Sequence, residues 1–487
     1  MPRTPVRSTR VLPLVLACLL GCLPPPPAGA GTEAELVPAI ETALAAPALR
    51  HAIAAVVVES LRDGRSLCAI APDVALMPAS NLKLVTAVAA LEHLGPDYRF
   101  RSLLGARGRL ARGTLDGDLF LKGFGDPTLS TAALHDLVNA VRARGIRRVT
   151  GDLVVDATFF AAPRIGRGWA WDYLQDYYAM EVSALSLDHN VATLTVRPSP
   201  EVGRPALLSW IPQTRYFSVR NETVTAAAGA TETLSHQRLP GGNLVIVRGA
   251  IAADSQPVTL EGITMEDPAR YCGTVLAQLL EEAGVRVEGE VRHGTLPTVH
   301  QVLHERRSPP LAEILPPFLK PSSNHIGEQV IHTVVAELTA RRGSGEGEAP
   351  SVESVARDLV RQAGGDPDSI RAVDGSGLSR LNLVTPRALV QLLRYARNRP
   401  YAEVFAAALP VAGRDGTLAR RMRGAAPEGN ARAKTGTLTA ASCLSGYVTS
   451  AAGEPLVFSI MLNNHLASPL QVRAVQDRIC TLLAELR

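Results

Sequence analysis

Apolar positions recur with two different periods at the two ends of this chain. Ala52 to Ser60 is an unbroken apolar run of strand length, and Arg62-Asp63-Gly64-Arg65 turns it into Ser66 to Ile70, which predicts a hairpin. Ahead of it, Glu35 to Ala46 has the spacing of an amphipathic helix, with Pro38 tolerated in a first turn. The helical period is clearest from Ser80 to about His93, apolar at Leu82, Val85, Val88, Ala89 and Leu91 and ended by Gly95-Pro96. A second such helix follows Asn324, with Ile326, Val330, Ile331, Val334 and Leu338 on one face, and runs into a Gly/Glu-rich loop from Arg341 to Pro350. The C-terminal region returns to a hairpin, Ser442 to Val448 and Leu456 to Asn463, followed by a helix from about Ser468 to Leu486.

Between Tyr98 and Val299 the texture changes. Short apolar strands such as Gly117 to Lys122, Gly151 to Asp156, Val191 to Val196 and Leu244 to Ala250 alternate with Gly, Pro and Asn turns. The expected organisation is an α/β (α+β) domain built from 31–97 and 300–487, an antiparallel sheet flanked by helices. A β-rich insertion over 98–299 interrupts it.

Composition narrows the function classes. The chain has 487 residues, 46% of them hydrophobic and 20% charged, and its formal charge of +4 is small for that length. The arginines are scattered rather than massed, which argues against a nucleic-acid partner. Residues 1–30 resemble a signal peptide: Arg3, Arg7 and Arg10 precede the apolar run Val11 to Leu23, and Ala28-Gly29-Ala30 is a small-residue cleavage site. Export to a periplasm or cell envelope is therefore expected, with the membrane reached only if Cys22 in Leu19-Leu20-Gly21-Cys22 carries a lipid anchor. Beyond the leader, Cys68, Cys272, Cys443 and Cys480 are widely spaced, a pattern unsuited to a metal site and open to either free thiols or a disulfide. No metal and no cofactor is expected.

One residue type is scarce in an informative way. Of the 50 lysines and arginines only four are lysines, and three sit in or beside short motifs: Lys83, Lys320 and Lys434. An arginine stays protonated in a protein, whereas a desolvated lysine can give up its proton and act as a base. In Ser80-Asn81-Leu82-Lys83 the serine and lysine are one helical turn apart and share a face, so the amine can activate the hydroxyl. Alone, this reads more readily as a capping serine with a surface lysine. Ser322-Ser323-Asn324 precedes the second helix; Ser322 suits a proton relay and Asn324 a substrate contact, although Ser and Asn also cap helices ordinarily. Lys434-Thr435-Gly436-Thr437 precedes strand-forming residues, where a cation can hold a substrate carboxylate, Gly436 permits close approach, and the N–H groups of Thr437 and Ser80 can form an oxyanion hole. The order S-x-x-K, S-x-N, K-T-G is that of penicillin-interacting serine enzymes. No G-x-S-x-G elbow competes; Gly375-Ser376-Gly377 reads as a turn, and His325 as a structural residue.

With these motifs, the chain resembles a class C penicillin-binding protein of the D-alanyl-D-alanine carboxypeptidase/endopeptidase family. The likeness extends to Gly123-Phe124-Gly125-Asp126-Pro127-Thr128-Leu129, Gly151 to Asp156, Asp374-Gly375-Ser376-Gly377-Leu378-Ser379-Arg380 and Leu409 to Gly413. The resemblance implies a serine penicillin-recognising fold whose insertion forms two extra domains. It implies an acyl-enzyme on Ser80 formed from peptidoglycan stem peptides, with β-lactams as covalent inhibitors. It also implies that Asp156 and Arg380 receive the stem side chain, with Trp169 and Trp171 nearby. The alternatives are a β-lactamase or esterase on the same scaffold, or a peptidoglycan-binding protein without activity.

Overall fold

The computed structural model describes residues 31–343 and 348–487; the leader with Cys22, and part of the Gly/Glu-rich loop, lie outside the described residues. The two chain ends meet in one five-stranded antiparallel sheet. Its order is Arg432–Leu438, Ala441–Thr449, Pro455–Asn463, Ile53–Ser60 and Ser66–Ile70, with Ile53 opposite Asn463 and Ser60 opposite Leu456 where the ends join. Alternation along Ile53–Ser60 sorts the core. Val56 and Val58 pack with Leu36, Ile40, Val472 and Ile479 of the terminal helices, Glu33–Leu44 and Pro469–Glu485. Ala55 and Val57 face the other layer, where Val85, Val88 and Leu389 sit.

The helix after the first motif differs from expectation. It runs Leu82–His93, and every residue from Leu82 to Leu91 is buried, Lys83 and Thr86 included. A helix covered on all sides belongs in the middle of a layer, which is why its apolar positions exceed one stripe. Two boundaries also move: the first helix begins at Glu33, which puts Pro38 inside it, and the K-T-G residues lie within edge strand Arg432–Leu438 rather than ahead of one. Leu409 to Gly413 runs beside that edge, with Ala433 N–H donating to the Pro410 carbonyl at 3.0 Å.

The insertion carries a seven-stranded sheet and two three-stranded sheets. Strand Gln301–Arg307 pairs with Arg101–Ala111, so the inserted sheet reaches past residue 299. Two helices, Thr131–Ala143 and Pro268–Glu282, pack on it. Apolar residues of all three sheets, including Leu119, Leu194 and Val247, join in one cluster. The run Gly123 to Leu129 is a junction. A β-carbon at Gly125 would lie 2.3 Å from Thr333 Oγ1 on the helix after the second motif, and buried Asp126 is ion-paired to Arg306. Cys68, Cys272, Cys443 and Cys480 are all buried free thiols.

Candidate active site

Ser80 does not stand in the first turn of an α-helix. It lies in a 3-10 turn, Ala79–Asn81, that leads into Leu82–His93, and Ala79 before it has φ of 47°. Two glycines permit that turn. A β-carbon on Gly377 would come within 1.9 Å of the Ala79 carbonyl oxygen, and one on Gly436 within 2.5 Å of the Pro78 carbonyl oxygen. Gly436 therefore admits the nucleophile's own backbone, where the sequence suggested a ligand. Beneath the turn, the fully buried Asn81 donates from Nδ2 to Ser445 Oγ at 2.7 Å, tying it to the sheet.

Lys83 is fully buried, and its Nζ lies 2.8 Å from Ser80 Oγ, 2.6 Å from Asn324 Oδ1 and 2.6 Å from the Ser376 carbonyl oxygen. The Asn324 amide is oriented by its Nδ2, which donates to the Tyr178 carbonyl at 2.8 Å. A neutral amine has two hydrogens and one lone pair. The carbonyl and the amide oxygen can only accept, so both hydrogens go to them and the lone pair faces the Ser80 hydroxyl. Burial pulls the Lys83 pKa down to about 7, against the opposing pull of Asp374 and Glu328. This is the geometry and the proton affinity of a general base.

The third motif contributes a second buried amine. Lys434 Nζ donates to Ser322 Oγ at 2.9 Å and to the Thr435 carbonyl at 2.9 Å. Desolvation, and then repulsion from Lys83, lower its pKa well below the usual lysine value. Lys434 is 0% exposed, so its direct neighbour is Ser322 and it offers no surface charge to a ligand. Ser322 itself is held in the left-handed region at φ 67°.

Two carboxylates support Lys83: Glu328, which pattern reading passed over, and Asp374, which it quoted in a motif without a role. Glu328 accepts from the N–H groups of Gly375 (3.1 Å) and Ser376 (2.8 Å). Asp374 accepts from Gly377 N–H (2.9 Å), Ser379 N–H (2.6 Å), Asn382 Nδ2 (2.8 Å) and Trp169 Nε1 (2.9 Å). Both are buried, and together they shape the loop whose Ser376 carbonyl holds Lys83. The Asp-Gly-Ser-Gly spelling marked a turn, but a carbonyl that orients a lysine leaves no mark in sequence.

The site opens into a cleft of about 630 Å³ lined by Ser80, Ser322, Asn324, Thr435 and Thr437, with Tyr173, Tyr177 and Tyr178 at one end. Arg380 is exposed and donates to the carbonyl of Thr439, a cleft residue, at 3.0 Å. Asp156 is not brought here. It is 0% exposed inside the insertion, where it pairs with Lys122 at 3.0 Å and accepts from Leu296 N–H and the Thr158 hydroxyl, so no surface remains for a ligand. Trp169 is buried on Asp374, whereas Trp171 is 76% exposed. Lys320 is ion-paired to Asp415, and His325 is buried against His189 with its pKa well lowered by desolvation; neither touches Ser80. Among the described residues no cluster of His, Cys, Asp and Glu could hold a metal ion.

A serine hydrogen-bonded to a buried lysine of lowered pKa, with a second serine on another buried lysine in the same cleft, is the arrangement of an active-site-serine acyl-transfer enzyme. Residues 36–486 match the model of the D-Ala-D-Ala carboxypeptidase 3 (S13) family, and the chain belongs to that family of serine-type D-Ala-D-Ala carboxypeptidases. It is 40% identical over 491 residues to a D-alanyl-D-alanine carboxypeptidase of an Actinomadura species, across 97% of this chain and 89% of that protein. It is 28% identical over 404 residues to D-alanyl-D-alanine carboxypeptidase DacB of Haemophilus influenzae, across 81% of this chain and 82% of the relative. The crystal structure of penicillin binding protein 4 (dacB) from Haemophilus influenzae shares the fold, with a TM-score of 0.77 at 24% identity over 91% of this chain and 97% of that one.

Proposed function

We propose that Ser80 attacks the carbonyl of the penultimate D-Ala in a D-Ala-D-Ala-terminated peptidoglycan stem peptide. The observation that carries this is the placement of Lys83 Nζ within hydrogen-bond reach of Ser80 Oγ, Asn324 Oδ1 and the Ser376 carbonyl, so that a neutral amine gives its two hydrogens to the latter two and turns its lone pair to Ser80. In the first step Ser80 Oγ bonds to the carbonyl carbon and its proton passes to Lys83 Nζ. The N–H groups of Ser80 and Thr437 receive the oxyanion, which is worth a few kcal/mol, or about 10²–10³ in rate. Ser322, hydrogen-bonded to Lys434, then passes its proton to the departing amine and takes in its place the proton held on Lys83. The C–N bond breaks and the terminal D-Ala leaves. Water hydrolyses the ester, its oxygen bonding to the carbonyl carbon while its proton restores the Ser80 hydroxyl. If the departing amine belongs to a second stem peptide, the same steps make the enzyme a DD-endopeptidase. Arg380, at the rim of the cleft, would receive the stem side chain; Asp156 would not.

A β-lactam enters as a mimic that acylates Ser80 and is slow to leave. The leader-like residues 1–30 support export to the cell envelope, and no helix among the described residues is long and apolar enough to cross a membrane. Fluorescent penicillin tests the whole scheme. Persistent covalent label, absent from the Ser80→Ala variant, is expected; rapid turnover of the label would mark a β-lactamase, and no label a binding protein without activity. Digestion of purified stem-peptide monomers and cross-linked dimers assigns the carboxypeptidase and endopeptidase shares.

A further inference from the structure

The cleft is asymmetric in charge as well as in shape. One end is aromatic, with Tyr173, Tyr177 and Tyr178. The other, past Thr435 and Thr417, is lined by Arg421 and by Arg473 in the helix Pro469–Glu485. The two arginines differ. Arg421 is spent on the protein itself, donating to Asp477 Oδ1 at 2.9 and 2.6 Å and to Gln476 Oε1 at 3.1 Å. The Arg473 guanidinium, half-buried beside it, has no hydrogen-bond or ion-pair partner among the described residues. Meanwhile Lys434, the cation the motif offers for a substrate carboxylate, is fully buried and committed to Ser322 and the Thr435 carbonyl. The hydroxyls of Thr435 and Thr417 are hydrogen-bonded at 2.8 Å, leaving this end of the cleft with neutral groups and one unpaired cation.

We infer that Arg473 is the specificity-determining cation for the leaving group: it receives the carboxylate that the departing amino acid carries, a role that rests on the acyl-transfer reading above. A guanidinium presents a planar pair of donors matched to a carboxylate. Arg473 lines the same cleft as Ser80, beside Arg421 and the hydrogen-bonded pair Thr417 and Thr435. An acyl donor whose leaving group lacks the carboxylate would not use it.

Two D-alanyl thioesters that differ only in whether the departing thiol bears a carboxylate test this, with the full chain as wild type, Arg473→Ala and Arg473→Lys. In Arg473→Ala, kcat/KM for the carboxylate-bearing thioester is expected to fall about 10- to 100-fold, the range for losing a charged hydrogen bond. The neutral thioester should change by less than about 2-fold, so the preference between the two collapses. Arg473→Lys should recover part of the preference. Equal losses on both thioesters, or no loss on either, would overturn the inference. Failure of the parent reading looks different: the wild type would then turn over neither thioester and take up no penicillin.

Discussion

The carbonyl oxygen of Pro78 occupies the space that a β-carbon on Gly436 would need, at 2.5 Å. The K-T-G glycine thus sets how closely the edge strand approaches the turn that carries Ser80. Gly436→Ala must push that turn away from the strand, displacing the serine from Thr437, its expected partner in binding the oxyanion. Overpacking of this kind costs about 1–3 kcal/mol, and acylation should suffer more than stability because the strain falls on the reacting atom. Gly377→Ala should be worse, since its β-carbon meets the Ala79 carbonyl at 1.9 Å and its φ is 81°. Thermal unfolding beside penicillin acylation rates checks both; wild-type acylation in Gly436→Ala would show that the strand has room to spare.

Lys83→Arg tests the base directly. A guanidinium keeps its proton and has no lone pair to offer Ser80. Acylation by penicillin should fall by about 10²–10⁴, the usual span for a general base, and wild-type rates would disqualify Lys83. Burial also alters the expectation for Lys434→Arg. A surface cation holding a carboxylate would tolerate arginine, but Lys434 is 0% exposed and meets Ser322 Oγ at 2.9 Å. A larger, planar guanidinium at this buried position must displace the contact to Ser322, so this variant should lose acylation as well.

Much of the site was readable because its chemistry depends on residue type at short spacing. Ser80 and Lys83 are one turn apart, and the scarcity of lysine singled out Lys83 and Lys434. The sheet joining the chain ends followed from two apolar hairpins, one near each end of the chain. What stayed hidden depends on long-range packing. Glu328 and Asp374 look like ordinary polar residues until the fold buries them on one loop. Asp156 ends an apolar strand, and nothing local reveals that Lys122 lies against it. The helix Thr131–Ala143 did leave a trace, Leu134, Leu137, Val138 and Val141 after a Ser130 cap, but the strands around it masked the change of period.

Asp156→Ala separates a packing role from a substrate role. Removing one partner of a buried ion pair strands the other, which costs about 3–5 kcal/mol. The Asp156 carboxyl is also held below the usual aspartate range: burial raises its pKa, but Leu296 N–H, Thr158 and Lys122 together outweigh it. A depressed pKa stabilises the fold above the unfolded value near about 4 and ceases to do so as pH falls through the folded one. The variant should therefore unfold at lower temperature near neutral pH, with the gap to wild type narrowing in acid. Its KM for stem peptides should not move; a selective rise in KM would return Asp156 to the substrate.

The pH profile of acylation reports the charges around Lys83. Only the neutral amine can take the Ser80 proton, so the rate should fall tenfold per pH unit below about 7 and level off above it. Glu328 pulls the Lys83 pKa upward, so removing its charge must move the acid limb to lower pH. Glu328→Gln is the suitable change. A glutamine oxygen can still accept from the N–H groups of Gly375 and Ser376, and its NH₂ then faces His332 Nε2, 3.6 Å from the present carboxylate. Asp374, the other carboxylate near Lys83, has its pKa raised by burial and by Glu328, so losing Glu328 eases its ionisation and makes the net displacement smaller than the Glu328 charge alone would give. Lys434, in contact with Ser322, keeps its own surroundings. Second-order acylation rates by penicillin from pH 5 to 9 would show the displacement. A limb that stays in place, or moves to higher pH, would mean that the titrating group governing acylation is not Lys83.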